Sequence, residues 1–444
     1  MKRLFTIFLA GIALAAAGGT TISDVSLVQQ WPWSEDVSID FIVKGWDEPV
    51  WSVRELSLTA YDGEDEIGRV STLALAGDTV IDGDGVKHIV LTPSKDPVLK
   101  ARGRINRFKV ALSSEPVLDE DVLYVVFDLS KEADARGARQ YVTRNALTNG
   151  VWGAWCGTAS GGAIWTGLVG DERYFREFMA FRRIPAGSFT MGHGSAGKGR
   201  RYSPARCVTI SNPYYIAVFE LTKYQYRIID SGRNLSRPDV LLPSVNDTLN
   251  TMRGDSLPGA AHDWPSKRGI APDSIVGKLG VRTGLPGCFD LPTEAQWEKA
   301  ARGGTEGDVA YYDGSPVADT ARADPLAWFS ANTSGVGGVR RGGLKEPNGY
   351  GLYDVLGNVW EMVLDWQNDG EPLAEIDPVG ETTPSPKYPN RRILKGGDWK
   401  FSRCDTVTLY WRSQHPCDAK DPCIGSRLVF NPVPYASSQG ENKP

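Results

Sequence analysis

The chain has 444 residues and a formal net charge of −5, so it is long enough for two domains and has no basic excess of the kind that binds nucleic acid. Its 49 glycines and 14 tryptophans are typical of a loop-rich fold held by large aromatic side chains, not of a helical bundle. The six cysteines and four histidines show no CxxC or clustered spacing, which excludes a structural zinc site.

The N-terminal residues have the three parts of a secretory signal peptide. Lys2 and Arg3 are basic, an apolar segment follows, and the small residues that signal peptidase needs end at Ala17. The apolar segment is shorter than the ~20 residues of a transmembrane helix, and no second long one follows. We therefore predict an exported chain, periplasmic or secreted, with a signal peptide at residues 1–17 and no membrane span.

The cysteines of an exported chain are compatible with disulfide bonds. Six cysteines allow fifteen pairings, and the sequence does not choose among them. Because Cys404, Cys417 and Cys423 lie close together in the chain, we expect a pair among these three.

Residues 22–130 show the two-residue period of β-strands. Val37, Ile39, Phe41 and Val43 alternate with residues of the opposite face. Similar segments follow, separated by turn signals, at Leu56–Tyr61, Thr72–Ala76, His88–Leu91, Phe108–Leu112 and Leu123–Leu129. Six or seven short strands at this spacing predict an all-β, immunoglobulin-like sandwich.

The rest of the chain differs in character. Residues 131–182 lack a clear period and are interpreted as a linker or lead-in, residues 183–431 as a second domain, and residues 432–444 as a tail. In the second domain, Thr222 is placed to cap a helix. Thr293 and Gln296 form the pattern of a capping box at the start of another helix, which Gly303 should end.

A glycine-punctuated acidic stretch, NGYGLYDVLGNVWEMVLD, occupies residues 348–365. Its Asp354 and Glu361 flank Gly357, so two carboxylates and the carbonyls of a tight turn could form the oxygen site that calcium prefers. A solvated acidic turn is the alternative from the residues alone.

Six ordered motifs, which cover over half of the chain, resemble the formylglycine-generating enzyme, or sulfatase-modifying factor, family. The motifs are RIPAGSFTMG at 183–192, YYIAVFELTKYQY at 214–226, DLPTEAQWEKAARGG at 290–304, GLYDVLGNVWEMV at 351–363, RILKGGDW at 392–399 and CIGSRLVF at 423–430. The resemblance implies an α+β fold of C-type-lectin-like, formylglycine-generating-enzyme type. It also implies a structural Ca²⁺ held by Asp354, the carbonyls of Gly357 and Val359, and Glu361. A second family calcium loop would align with Asn332 but lacks its partner residues, so that site is not expected.

The oxidases of this family convert a substrate cysteine to formylglycine with copper(I) held by two cysteines, and soft thiolates suit that ion. The resemblance places Phe401 where the first of these cysteines stands and Asp398 in place of a serine beside the substrate. Cys404 aligns with the second cysteine only if a two-residue gap is allowed. Copper is therefore not expected, and Phe401 would give the groove an apolar floor.

Two functions follow from the resemblance. The first is a calcium-stabilised binding module for a protein or glycan. Its groove would be formed by Trp360, Asp398, Phe401, Cys404, Trp411 and Arg412. Trp399 and Arg427 are expected to be core or salt-bridge residues of the motifs. The alternative is a formylglycine-generating or related metal-dependent oxidase with an altered site.

Overall fold

The computed structural model describes residues 12–13, 20–29, 34–46, 53–102, 105–117, 119–133, 135, 138–157, 162–194, 205–232, 241–254, 269–333, 337–367, 375–380 and 384–432. Within these ranges, no helix combines the length and apolar character needed to cross a bilayer. The chain divides into two compact units. The first contains residues 1–123 and 140–155, and the second contains residues 124–139 and 156–444.

Strands and helices are numbered here in chain order. The strands are β1 Ile12–Ala13, β2 Thr21–Gln29, β3 Val37–Lys44, β4 Val53–Asp62, β5 Asp65–Arg69, β6 Leu75–Gly77, β7 Val80–Ile81, β8 Gly85–Leu91, β9 Phe108–Val117, β10 Val122–Asp128, β11 Arg139–Thr143, β12 Trp155–Gly157, β13 Ala163–Trp165, β14 Phe178–Ile184, β15 Gly187–Met191, β16 Arg206–Ile210, β17 Tyr214–Ala217, β18 Phe289–Asp290, β19 Trp360–Trp366, β20 Arg391–Lys395, β21 Ser413–Pro416, β22 Ile424–Gly425 and β23 Val429–Phe430. The α-helices are α1 Pro97–Arg102, α2 Arg144–Thr148, α3 Lys223–Ser231, α4 Leu249–Arg253, α5 Ile275–Arg282, α6 Glu294–Arg302, α7 Thr320–Ala323 and α8 Ser330–Thr333.

Two sheets form the first unit. One has the order β1-β9-β4-β5, with β7 also paired to β4, and the other has the order β2-β3-β8-β6. Apart from β1, which runs parallel to β9, the strand pairs are antiparallel. Phe41 and Ile89 from one sheet and Leu58 and Leu112 from the other belong to one hydrophobic core and are 0% exposed. The assignment of these two sheets to the immunoglobulin type stays a prediction.

The β-periodicity of this region is confirmed on β3, where Val37, Ile39 and the other residues of the predicted inner face are buried. The strand predicted at Thr72–Ala76 is wrong in its first half. Residues Thr72–Ala74 form a 3₁₀-helix, because the Ser71 hydroxyl accepts a hydrogen bond from the Leu73 N–H at 3.3 Å. A local side-chain cap here prevails over β-propensity.

The largest sheet of the second unit places β10, β14, β17, β23 and β18 side by side in antiparallel pairs. Four phenylalanines join these strands on one face: Phe127, Phe181, Phe289 and Phe430. Their ring centroids are separated by 5.0 to 6.2 Å. Edge-to-face and tilted contacts at such distances are favourable, so these four rings stabilise the packing of the strands that carry them.

A second sheet has the order β21-β20-β19-β22, in which β22 runs parallel to β19. Strand β19 directly follows the glycine-rich loop, so this loop lies at the start of β19. Strand β22, which belongs to the CIGSRLVF motif, pairs with the same end of β19. The pairing of Glu361 with Gly425 is one consequence. Helix α6 packs against this sheet through Trp297, which is 1% exposed and belongs to one hydrophobic core with Val363 of β19 and Ile393 of β20.

The two predicted helix starts are confirmed, each with a complete capping box. Thr222 and Gln225 cap α3, and Thr293 and Gln296 cap α6 in the same way. Gly303 ends α6 in the left-handed conformation at φ 62°. All nine residues of α6 are buried, including the charged ones.

All six cysteines are described and none of them forms a disulfide. The pair expected among Cys404, Cys417 and Cys423 is therefore not formed in this structure. Burial raises the pKa of the Cys417 thiol, although the charge of Arg392 opposes the shift. Burial, with the negative charge of Asp398, raises the pKa of Cys423 to about 12. Both buried thiols are thus kept protonated.

Candidate functional site

Asn348 attaches the glycine-rich loop to the end of α6. Its side-chain amide donates to the carbonyls of Ala300 and Ala301 at 2.8 and 2.9 Å, and its Oδ1 accepts from the Leu352 N–H at 3.1 Å. Carbonyls in the last turn of a helix lack a partner within the helix. The buried amide supplies one and fixes where the loop begins.

The loop turns through four residues with left-handed backbone angles: Gly351 at φ 80°, Asp354 at φ 54°, Gly357 at φ 79° and Asn358 at φ 55°. A Cβ at Gly357 would lie 2.2 Å from the Trp328 carbonyl oxygen, so only glycine fits there. Asn358 is held by its side-chain amide, which donates to Glu220 at 2.6 Å. The turn is thereby fixed from two sides.

Three carboxylates and one guanidinium are buried beside this turn. Glu220 is 2%, Asp354 1%, and Glu361 and Arg427 are each 0% exposed. Arg427 donates to both oxygens of Glu361, with a shortest distance of 2.7 Å, and the Trp297 indole donates to the same carboxylate at 2.6 Å. The prediction that Arg427 is a salt-bridge residue is confirmed. Among the described residues, Arg427 is the cation that donates to one of these carboxylates, and Lys345 acts on Asp354 through its charge. The site still has more buried negative than positive charge.

The pKa values of these carboxyl groups are displaced accordingly. Burial, followed by the charges of Asp354 and Glu361, raises the pKa of Glu220 well above its usual range. Burial also raises the pKa of Asp354 to about 6, although the hydrogen bond from the Gly343 N–H opposes the shift. Removal of a carboxylate from water disfavours its charged form, so these groups bind a proton or need a cation.

A cation fits part of this site. Asp354 Oδ1 is buried and accepts no hydrogen bond, and Oδ2 accepts one from the Gly343 N–H at 2.7 Å. Within the described ranges, no three His, Cys, Asp or Glu side chains are arranged as a metal centre. A cation here therefore needs backbone oxygens, such as the carbonyls of Gly357 and Val359, and carboxylate with carbonyl ligands suits Ca²⁺.

A groove of about 560 Å³ opens on the second sheet. Its lining comprises Trp360, Gln367, Tyr388, Arg391, Asp398, Phe401, Ser402, Thr406, Trp411, Arg412, Ser413 and Gln414. The structure thus brings five of the six predicted groove residues together. Cys404 is not in the lining; it packs against the hydrophobic core, and its carbonyl accepts from the Tyr311 hydroxyl at 2.8 Å.

Asp398 and Phe401 have different roles in one tight turn. The buried Asp398 carboxylate accepts from the N–H groups of Lys400 and Phe401 at 2.6 and 2.7 Å, and from the Ser402 hydroxyl at 2.9 Å. These bonds make Asp398 the cap of the turn. The turn presents the Phe401 ring at the groove, where this residue is 68% exposed.

Arg412 connects the groove to a buried charge network. Its Nε and Nη2 donate to the two oxygens of Glu294 at 2.6 and 2.5 Å. Lys395, which is 0% exposed, lies 3.5 Å from Glu294 and 3.2 Å from Glu298. Beside them, burial and the charge of Glu294 raise the pKa of Asp365 to about 7. The network fixes the Arg412 side chain that lines the groove.

Glu220 and Glu294 are among the site residues that were not singled out from the sequence. Glu220 carries a signal that could have identified it, because it interrupts the otherwise apolar segment Tyr214–Leu221. A lone carboxylate in such a segment is rarely buried unless it is paired. Glu294 has no comparable signal, because an acidic residue in the first turn of a helix is ordinary.

A family model of the sulfatase-modifying factor enzyme 1-like domain matches residues 173–432. The formylglycine-generating enzyme of Thermomonospora curvata is 32% identical over 156 residues, which are 32% of this chain and half (50%) of the length of that relative. The formylglycine-generating enzyme of Mus musculus is 25% identical over 394 residues, 78% of this chain and 99% of that one. Among solved structures, Treponema denticola variable protein 1 is 21% identical with a TM-score of 0.44, and the match covers 57% of this chain and 95% of that one.

Proposed function

The chain belongs to the sulfatase-modifying factor family, and from this membership we propose that it is a divergent member that binds a protein or glycan in its groove and does not oxidise cysteine. The observation that carries the proposal is the lining of the groove, which contains no thiol. Phe401 stands where the resemblance places the first copper ligand, and Cys404 is turned to the core. A copper(I) centre made of two thiolates has neither ligand in the groove.

The side chains that do line the groove support a binding role. Trp360, Tyr388, Phe401 and Trp411 supply aromatic rings, and Arg391 supplies a guanidinium. Tryptophan, tyrosine and arginine are the residue types that contribute most to binding energy in protein interfaces. Aromatic rings also offer apolar faces against which a sugar ring or an apolar side chain can pack.

Calcium has a structural role in this proposal. Asp354, the carbonyls of Gly357 and Val359, and Glu361 would hold one Ca²⁺, which would stabilise the loop that leads into the groove. A ligand that binds only the native state stabilises it by ~2.7 kcal/mol at a hundredfold excess over Kd. We therefore expect chelation to lower the melting temperature. An unchanged melting curve would mean that the acidic turn holds no metal.

The test of the proposal is direct. Purified protein is incubated with copper, a reductant, oxygen and a Cys-x-Pro-x-Arg peptide, and loss of the thiol is followed by mass spectrometry beside the T. curvata enzyme as a positive control. We expect no conversion. Turnover at a rate comparable to that of the control would refute the proposal and support the alternative function, a formylglycine-generating oxidase.

The binding part of the proposal needs its own measurement. A peptide and glycan array is probed with the native chain and with Phe401→Asp, which places a charge at the most exposed ring of the groove. Arg403→Asp serves as the control, because its side chain is exposed and it does not line the groove. We expect binding that Phe401→Asp removes and the control retains. Equal loss in both variants would point to a surface-charge effect elsewhere.

Two further parts of the proposal concern the N-terminal half and export. An immunoglobulin-like type for the first unit is supported by the order β2-β3-β8-β6, which matches the A-B-E-D order of that sandwich when the strands are taken in sequence. Export rests on the signal-peptide pattern alone. N-terminal sequencing of extracytoplasmic protein should find a start near Gly18, and an intact Met1 there would contradict it.

A further inference from the structure

Glu220 is a buried carboxylate to which the family resemblance gives no role. It follows β17 and is 2% exposed. Its Oε2 accepts from the Asn358 side chain at 2.6 Å and its Oε1 from the Val359 N–H at 3.3 Å. These bonds place Glu220 against the same turn that carries Asp354 and the carbonyl of Val359. Glu220 therefore brings a second buried carboxylate to the turn that is proposed to hold calcium.

The free electron pairs on each carboxylate decide which of them can bind a cation. An ionised carboxylate offers about four acceptor positions. Glu361 has the fewest left, because three N–H groups, the Nε and Nη2 of Arg427 and the indole of Trp297, donate to its two oxygens. Glu220 accepts two bonds, one on each oxygen. Asp354 accepts one bond on Oδ2 and none on Oδ1.

The charges also indicate that Glu220 and Asp354 are the two carboxylates that bind the cation. With Glu361 neutralised by Arg427 at 2.7 Å, Glu220 and Asp354 remain as two buried negative charges. Buried charges are paired or coordinate metals, because an isolated one is very costly. The buried Asp354 Oδ1 has no hydrogen-bond partner among the described residues, so this oxygen is available to a cation. A divalent cation between the two side chains would balance both charges.

We infer that Glu220 is a ligand of the calcium ion, and that it takes the place of Glu361, which serves the ion pair with Arg427. The site then consists of two carboxylates, Glu220 and Asp354, with the carbonyls of the turn. This inference rests on the proposed function, since it presupposes that the turn binds Ca²⁺. It assigns a different ligand set to that ion.

The experiment measures Ca²⁺ affinity by isothermal titration calorimetry, and melting temperature in chelator and in calcium, on the full chain. For Glu220→Gln we expect at least about tenfold weaker Ca²⁺ binding, because ligand charge sets affinity at such sites. In chelator this variant should melt at or above the native temperature, since it removes a buried like charge beside Asp354. If Glu220 only supports Asn358, the variant will instead melt lower in both conditions with unchanged affinity, and the inference fails.

Glu361→Gln is the matched control. It breaks the ion pair with Arg427, so we expect lower melting in chelator and in calcium alike, with affinity within about threefold of native, since its oxygens are already occupied. Loss of binding in this control with retention in Glu220→Gln would overturn the inference and leave the four-residue calcium site of the proposed function intact. A native chain that binds no Ca²⁺ would refute the calcium part of the proposed function itself, together with this assignment.

Glu220→Asp covers the case in which Glu220→Gln does not fold. This substitution keeps the negative charge but shortens the side chain by one methylene group. The variant should therefore retain the native melting temperature in chelator and bind Ca²⁺ more weakly than the native chain. Native affinity in Glu220→Asp would count against a ligand role, because coordination to Ca²⁺ depends on oxygen distances of 2.3–2.6 Å.

Discussion

The buried pair of Arg412 and Glu294 allows a quantitative test of what holds the groove. Arg412 is 6% and Glu294 2% exposed, and two charge-assisted bonds of 2.6 and 2.5 Å join them. Glu294→Gln removes the negative charge and leaves the guanidinium and the nearby Lys395 ammonium in a buried, cationic cluster. Breaking a buried pair by removal of one partner costs about 3–5 kcal/mol. We expect a loss near the lower limit, about 3 kcal/mol, because Glu298 and Asp365 remain as partial counter-charges.

Equilibrium unfolding in urea measures this loss. The control is Asp230→Asn, whose partner Lys278 lies 2.7 Å away with both side chains 34% exposed. Such a partly exposed pair contributes less than about 1 kcal/mol. A loss for Glu294→Gln no larger than for this control would refute the reasoning. The double variant Glu294→Leu with Arg412→Met should recover stability, since an apolar pair of similar volume replaces buried ions at little cost.

Two further predictions concern the interior and the turn. Because the pKa of Asp365 is raised to about 7, its native carboxyl binds a proton that the unfolded chain releases, so its contribution to the unfolding free energy should grow as pH falls from about 7 towards 4, by at most about 1.4 kcal/mol per pH unit. Urea unfolding at several pH values should show this slope and Asp365→Asn should reduce it; an identical slope in the variant would contradict the assignment. Gly357→Ala should cost more than about 2 kcal/mol, because its φ of 79° disfavours a Cβ and the Cβ would meet the Trp328 carbonyl. Gly314→Ala, at φ 87° with open space around it, should cost clearly less in the same assay, and equal losses would show that the clash is absent.

Features whose interacting residues lie within a few positions of each other could be predicted from the sequence. The capping boxes of α3 and α6 were readable because Thr293 and Gln296 satisfy each other's backbone groups three residues apart. The alternation on β3 was readable for the same reason, since successive residues of a strand face opposite sides. The six motifs identified the family, which the match over residues 173–432 shows. Thr72–Ala74 was misread because a local cap at Ser71 competes with β-propensity.

The pairing of the buried charges could not be predicted in this way, because it depends on how the chain folds. Glu361 pairs with Arg427 across 66 residues of sequence, and Glu294 pairs with Arg412 across 118. No local pattern records such partners, because they are brought together by the packing of α6, β19 and the last turns. The same packing buries Glu220 against Asn358 and Val359 of the turn and packs Cys404 against the core. The residue types were visible in the sequence, but their chemistry depends on burial, and burial is a property of the folded chain alone.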